Sequence, residues 1–182
     1  MSKKIAVVTG YAGFIGCTFV RKLLEAGYYV HCVDKFSYYS DLLPGNQAVE
    51  KYQDQMFWTQ GDITELDWLP ECDVVFNLAA ESDVDKSNQN SAAFIQSNIE
   101  GVRNLLEIIN NRIVIRADKP LFFQVSTDEV YGDRTDGSFD ETDALMPSNP
   151  YAATKAAADM LIESWSRTHG LDYIIARPSN NY

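Results

Sequence analysis

Six residues in the second half of the chain have the types and spacing for proton chemistry. An apolar run, Pro120-Leu121-Phe122-Phe123-Gln124-Val125, has the length and composition of a buried strand. It stops on Ser126-Thr127-Asp128-Glu129, followed by Val130-Tyr131-Gly132. In a parallel α/β sheet the carboxyl end of a strand is where ligands sit. Two adjacent carboxylates there suit a general acid and a general base, provided their surroundings hold their pKa values apart. Tyr151 and Lys155 lie four residues apart on the next predicted helix and so share a face. An ammonium beside a phenol favours the phenolate, lowering a pKa that is about 10 in free tyrosine. That pair therefore reads as a base able to take an alcohol proton. The plainer readings are a Ser/Thr/Asp cluster capping a turn and a Tyr-x-x-x-Lys spacing that is common by itself. The elements around these residues decide between them.

Those elements begin at the N-terminus. Lys4 to Thr9 reads as a strand buried on both faces, and Gly10-Tyr11-Ala12-Gly13-Phe14-Ile15-Gly16 follows it. A helical pattern then runs through Phe19, Val20, Leu23 and Leu24 to Gly27, and a second strand, Tyr28 to Val33, ends on Asp34. A glycine loop between a strand and a helix, with an acid closing the next strand, is a dinucleotide-binding signature. Here the first glycine step is one residue wider than the commonest form. Gly10 permits the turn, Gly13 lets the backbone approach a pyrophosphate, and Gly16 lets the helix lie against the strand. The helix start offers unpaired amides and partial positive charge to the diphosphate. Asp34 is expected to accept from ribose hydroxyls and to repel a 2′-phosphate, favouring NAD over NADP. Lys35 blurs that preference, although an exposed loop lysine is its simpler reading.

The rest of the chain fits the same frame. Phe36 to Asn46 reads as a loop carrying a short helix, Met56 to Thr59 as a strand, and Glu65 to Leu69 as a short helix. Asp62, before that helix, can serve as its N-cap, as an acceptor for an adenine amino group with Ile63 against the ring, or as both. Asp73 to Leu78 is a fourth strand, after which Ala79-Ala80 are small enough to let a cofactor pass. Glu81 to Asn90 is polar and reads as a loop over the site. Ser91 to Asn110 is a long helix with Phe94, Ile95, Ile99, Val102, Leu105, Leu106 and Ile109 as core residues. Gly132 to Asn149 is a long polar loop, Pro150 opens the helix bearing Tyr151 and Lys155, and Asp172 to Ala176 is a sixth strand. The expected architecture is α/β, a doubly wound parallel sheet of Rossmann type, with residues 1–182 forming one NAD-binding domain.

Composition narrows the partners. Of 182 residues 46% are apolar and 23% charged, and the net charge is −11. No basic stripe exists to neutralise a phosphate backbone, which argues against nucleic acid. Cys17, Cys32 and Cys72 are odd in number and lack metal-ligand spacing, and His31 and His169 have no companions, so no metal site is expected. The cysteine usage suits an intracellular, cytoplasmic setting. The N-terminus lacks a signal-peptide pattern, and no apolar run nears the roughly 20 residues that cross a bilayer.

Taken together, the stretches Thr9 to Gly16, Val33-Asp34-Lys35, Gly61-Asp62-Ile63, Asn77 to Ser87, Ser126 to Gly132, Tyr151 to Lys155 and Arg177 to Tyr182 resemble the extended short-chain dehydrogenase/reductase superfamily. More closely, they resemble its sugar-nucleotide 4,6-dehydratases acting on dTDP- or UDP-glucose. Ser-Thr-Asp-Glu-Val-Tyr-Gly is the most specific stretch, since the superfamily's epimerases keep the serine and Tyr-Gly but lack the Asp-Glu pair. The resemblance implies bound NAD and a set of roles. Tyr151, helped by Lys155, takes the sugar 4-hydroxyl proton, and Thr127 bonds the oxygen that becomes a ketone. Glu129 removes the C5 proton, and Asp128 protonates the departing C6 hydroxyl. Ser82, Thr127 and Asn180 match substrate contacts. Phe14, Ile15, Leu78, Ala79, Ala80, Ser97 and Asn181 match cofactor contacts, beside Gly10, Gly13, Gly16, Asp34, Lys35, Asp62, Ile63, Tyr151 and Lys155. A nucleotide-sugar substrate, deoxysugar (rhamnose-type) synthesis and a homodimer formed through Ser91–Asn110 and Tyr151–Arg167 are also implied. Three departures stand out. Tyr11 occupies a glycine-loop position that is usually small, so its ring would crowd the pyrophosphate or point outward. Asp83 stands where the family has histidine. The chain is also about half the family's length, so the C-terminal substrate lobe is expected to be absent. The alternatives are a catalytically silent NAD-binding remnant and a related nucleotide-sugar epimerase.

Overall fold

The computed structural model describes residues 4–37, 50–113 and 120–179. Six short apolar segments form one wholly parallel sheet: β1 (Ile5–Thr9), β2 (Tyr29–Asp34), β3 (Met56–Gln60), β4 (Val74–Asn77), β5 (Leu121–Val125) and β6 (Tyr173–Ala176). Their order is β3-β2-β1-β4-β5-β6, the doubly wound arrangement expected from the sequence. Winding changes direction between β1 and β4, whose register pairs Thr9 with Asn77 at the carboxyl edge. A crevice must open there, because the connections from these two strands leave toward opposite faces.

Residue alternation assigns each strand side chain to a layer. Ala6, Val8, Val30, Cys32 and Val74 point to one face, where helix α1 (Phe14–Glu25) covers them with Val20, Leu23 and Leu24. Val7, Val33, Val75 and Phe122 point to the other, under a helical run, α3 (92–113), and helix α4 (Pro150–His169). Val102, Leu105, Leu106 and Ile109 of α3 are at most 1% exposed, each burial contributing about 1.5–3 kcal/mol. Among the described residues no helix is long and apolar enough to cross a membrane.

Termini of α4 follow from its flanking sequence. The Asn149 side chain accepts from the Ala152 N–H at 2.8 Å, Pro150 occupies the first turn, and Gly170 ends the helix in the left-handed region at φ 64°. Its start is therefore held in one place, and Tyr151 and Lys155 with it.

Several sequence expectations are corrected. Residues 81–90 are not a plain loop: Asp83 accepts from the Lys86 N–H at 3.0 Å and caps a short helix, α2 (Val84–Gln89). The position where the family carries histidine is thus used here as an N-cap. Residues 65–69 form no helix: a turn at 63–65 runs into irregular backbone. The Asp62 carboxylate accepts from both the N–H and the hydroxyl of Thr64, closing a local turn that competes with helix, and Pro70 disfavours helical backbone before it. In α3 the segment Ile95–Glu100 winds as a π-helix. Wider winding shifts the inward face, so Ile95 is 46% exposed and Ile99 half-buried, while Ser97 and Asn98 turn inward. Most of the short helix expected within 36–46 lies outside the described residues, as do Asn180 and Asn181.

Candidate active site

At the carboxyl edge of the sheet lies a cleft of about 420 Å³, and nearly every site residue named from the sequence lines it. The glycine loop contributes Gly10, Gly13, Phe14, Ile15 and Gly16, the end of β2 contributes Asp34 and Lys35, and the end of β3 contributes Asp62 and Ile63. Leu78, Ala79, Ala80 and Ser82 follow β4, Ser97 comes from α3, Thr127 and Glu129 follow β5, and Tyr151 and Lys155 come from α4. Asp128 does not line it, although its charge acts on Tyr151.

The glycine end has the shape of a cradle for an extended anionic group. Gly10 has φ +69°, and a Cβ there would fall 2.6 Å from the Ala79 amide nitrogen, so β1 and β4 connections can approach only around a glycine. A Cβ on Gly16 would overlap the Gly10 carbonyl oxygen. Gly13, the N-cap of α1, offers no side-chain acceptor, and no acid stands in the first turn, so the helix-start amides and their partial positive charge face the cleft unneutralised. Tyr11 does neither thing expected of it. It is 7% exposed within the apolar layer under α1, edge-on to Phe36 at 5.8 Å, and leaves the cradle clear. Burial, with the nearby Cys32 and Asp34, pushes its phenol to about 12.

Asp34 is held in place by two backbone donors, Ala12 N–H at 3.0 Å and Phe36 N–H at 2.8 Å. Lys35 is the exposed loop lysine expected, and its ammonium also meets Glu81 at 3.0 Å and Asp62 at 3.7 Å. These donors and acceptors at the ends of β2 and β3 suit the sugar and base of a nucleotide.

The opposite end carries the ionisable groups. A buried ladder, Thr9 to Asn77 at 2.5 Å and Asn77 to Gln124 at 2.8 Å, ties β1, β4 and β5 together just beneath it. After β5 the chain turns into a short 3₁₀ segment (Asp128–Tyr131), with the Thr127 hydroxyl accepting from the Glu129 N–H at 3.3 Å. The Asn149 amide donates to Glu129 at 3.0 Å while capping α4. One side chain thus fixes the carboxylate relative to the helix bearing Tyr151. Burial, then the charges of Glu129 and Asp128, push the Tyr151 phenol up to about 12, against a lowering contribution from its hydrogen bond with Thr127. The lowered phenol pKa expected from the sequence is therefore not found. Burial and the two carboxylates set its direction, and the lysine is itself pulled down to about 8 by its own burial. The Lys155 ammonium donates to the Val125 carbonyl at 2.6 Å, and Asp159, one turn further along α4, supports its charge. Asp159 accepts from Ser126 and Arg177, each at 2.9 Å, and Arg177 donates to the Tyr131 hydroxyl at 2.8 Å.

Sequence reading missed Asn149, which holds Glu129, Asp159, which supports the Lys155 charge, and Asn98, which holds the Glu81 backbone. Only Asn149 had a signal: Asn-Pro at a helix start marks a cap. Asn98 bonds the Glu81 backbone twice, accepting from its N–H and donating to its carbonyl, both at 2.9 Å, and also donates to Thr154 at 2.9 Å. Its inward position depends on the π-wound segment, which helical periodicity does not anticipate.

Comparison with known proteins agrees with this geometry. The low-salt glycan biosynthesis protein Agl12 of Haloferax volcanii is 40% identical over 183 residues, covering 97% of this chain and 56% of the relative. A dTDP-glucose 4,6-dehydratase of Streptomyces niveus is 38% identical over 186 residues, covering 97% of this chain and 53% of its own length. The chain thus spans about half the length of these curated relatives. The crystal structure of DesIV, a dTDP-glucose 4,6-dehydratase from Streptomyces venezuelae with NAD bound, superposes with a TM-score of 0.84 at 36% identity, covering 98% of this chain and 56% of that one. Residues 7–182 match the family model described as GDP-mannose 4,6 dehydratase, and the chain belongs to that family.

Proposed function

We propose that this chain is the NAD-binding part of a nucleotide-sugar 4,6-dehydratase that converts dTDP- or UDP-glucose to its 4-keto-6-deoxy form, a step of rhamnose-type deoxysugar synthesis. The observation carrying this reading is the convergence of the glycine cradle with Thr127, Glu129, Tyr151 and Lys155 on one cleft. NAD, when bound, supplies a reversible hydride acceptor. The cradle at Gly10, Gly13 and Gly16 would hold its diphosphate, Asp34 its ribose, and Asp62 with Ile63 its adenine.

The chain's own residues do the proton work. Tyr151, as the phenolate that the Lys155 ammonium and a bound cationic nicotinamide would favour against the burial and carboxylates that raise its pKa, would take the proton of the sugar 4-hydroxyl and become the neutral phenol. Below pH about 8 that ammonium stays protonated. Thr127 donates to the same sugar oxygen as it becomes a carbonyl. Glu129, held by Asn149, takes the C5 proton that the carbonyl acidifies, and Asp128 gives a proton to the leaving C6 hydroxyl. Ser82 would contact the sugar nucleotide and Ser97 the cofactor, both lining the cleft. The exposed Ile95 of α3 and Met160 of α4, 46% and 59% accessible, fit a homodimer built on those two helices. An intracellular, cytoplasmic enzyme suits this substrate class.

The test is to supply NAD with dTDP- or UDP-glucose to the protein and look for the 4-keto-6-deoxy product. NAD binding without product supports the silent remnant instead. Where product forms, Glu129→Gln should slow dehydration by about a hundredfold or more. Dehydration at the original rate in that variant refutes the assignment of the base.

A further inference from the structure

Four charged side chains meet at the ribose end of the cleft: Asp34, Lys35, Asp62 and Glu81. Lys35 is the lone cation among them, and its ammonium is 3.0 Å from Glu81 Oε1 and 3.7 Å from Asp62 Oδ2. Glu81 does not line the cleft, and its side chain is 15% exposed. Its backbone is fixed from both sides by the buried Asn98 amide, which is in turn bonded to Thr154 of α4. A surface glutamate normally loses rotamer freedom to hold a lysine, which leaves such pairs weak. Here the backbone is anchored and the carboxylate largely sheltered, so much of that cost is met before Lys35 arrives. The Asp62 carboxylate is likewise fixed, by two bonds from Thr64.

We infer that Glu81 is a specificity-determining residue: by holding the Lys35 ammonium against itself and Asp62, it denies that cation to a ribose 2′-phosphate, so the cleft rejects a phosphorylated dinucleotide. Asp34 alone does not accomplish this, because a free lysine beside it offers the phosphate a compensating charge-assisted bond. Glu81 removes that compensation. The π-wound part of α3, which turns Asn98 inward, serves to place the glutamate. This inference rests on the reading that the cleft holds a dinucleotide.

The experiment measures binding isotherms for NAD and NADP on wild type, Glu81→Gln, Lys35→Gln and the double variant. Glu81→Gln is expected to improve NADP binding relative to NAD by about tenfold at low salt, the range of one partly exposed charge-assisted bond. The gain should shrink in molar salt and vanish in the double variant. Lys35→Gln alone should leave the NAD-to-NADP ratio at its wild-type value, because the ammonium it removes is already occupied. An unchanged ratio in Glu81→Gln, a gain that survives loss of Lys35, or a tenfold loss of NADP binding in Lys35→Gln would each overturn the inference. Wild-type protein that binds neither nucleotide overturns the dinucleotide reading itself, and this inference with it.

Discussion

Lys155 is 3% exposed, with its pKa lowered to about 8 from 10.5 by burial, and its replacement by methionine gives a sharp test of the electrostatics at this site. Below pH 8 both folded and unfolded chains carry the charge, and the folded chain bears the full desolvation cost. Between pH 8 and 10.5 the folded lysine releases its proton while the unfolded one keeps it. The unfolded state then binds more protons, so the lysine's contribution to stability rises with pH, by at most about 1.4 kcal/mol per pH unit and about 3 kcal/mol in all. Methionine has similar length and no charge, so Lys155→Met removes this dependence. The Val125 carbonyl keeps a donor, Gln124 Nε2 at 3.2 Å, so the variant should still fold. Tyr11, Cys32 and Tyr151, all raised to about 12, titrate in the opposite sense at high pH. They are present in both proteins and largely cancel in the difference. Urea unfolding of wild type and variant at pH 7.5, 8.5 and 9.5 gives that difference directly. Wild type should gain on the variant by about 2 kcal/mol across the range. A difference that is flat with pH would mean that Lys155 does not titrate near 8, and the reasoning about its burial would fall.

Two other substitutions test the supports of the cleft. Asn77→Leu keeps the branched outline but takes the acceptor from the buried Thr9 O–H, whose oxygen retains only the Ala79 N–H at 3.4 Å, and the Asn77 donor from the Gln124 carbonyl. It should cost about 2–4 kcal/mol and lower the melting temperature by roughly 5–15 °C, and a circular-dichroism melt that moves less than about 2 °C would show that the ladder is not needed. Gly16→Ala places a Cβ onto the Gly10 carbonyl and 2.7 Å from Tyr11 Cα. It should destabilise by about 1–3 kcal/mol and weaken NAD at least about tenfold, read by urea unfolding and a binding isotherm. Unchanged NAD affinity would remove the cradle from the argument.

The parallel sheet, its glycine loop and the set of residues at its carboxyl edge were all legible in the amino-acid sequence. Each depends on a local rule: unbroken apolar runs make strands buried on both faces, glycines mark close backbone approach, and period-3.6 spacing joins Tyr151 to Lys155. Interactions between segments distant in sequence were decided only by the tertiary structure. Tyr11 proved to be a core residue because the loop turns it toward Phe36. Asp83 is a local exception, a helix cap whose extended backbone lets its carboxylate reach the Lys86 N–H three residues on. The phenol of Tyr151 rises rather than falls because folding strips water from it and brings the carboxylates after β5 toward it. Asn98, Asn149 and Asp159 carry no motif of their own, and their roles exist only where π-winding, a cap or a buried triad brings a partner within 3 Å. Local chemistry names the groups, but desolvation and through-space charge set their protonation. Those two quantities depend on what the folded chain packs around each atom.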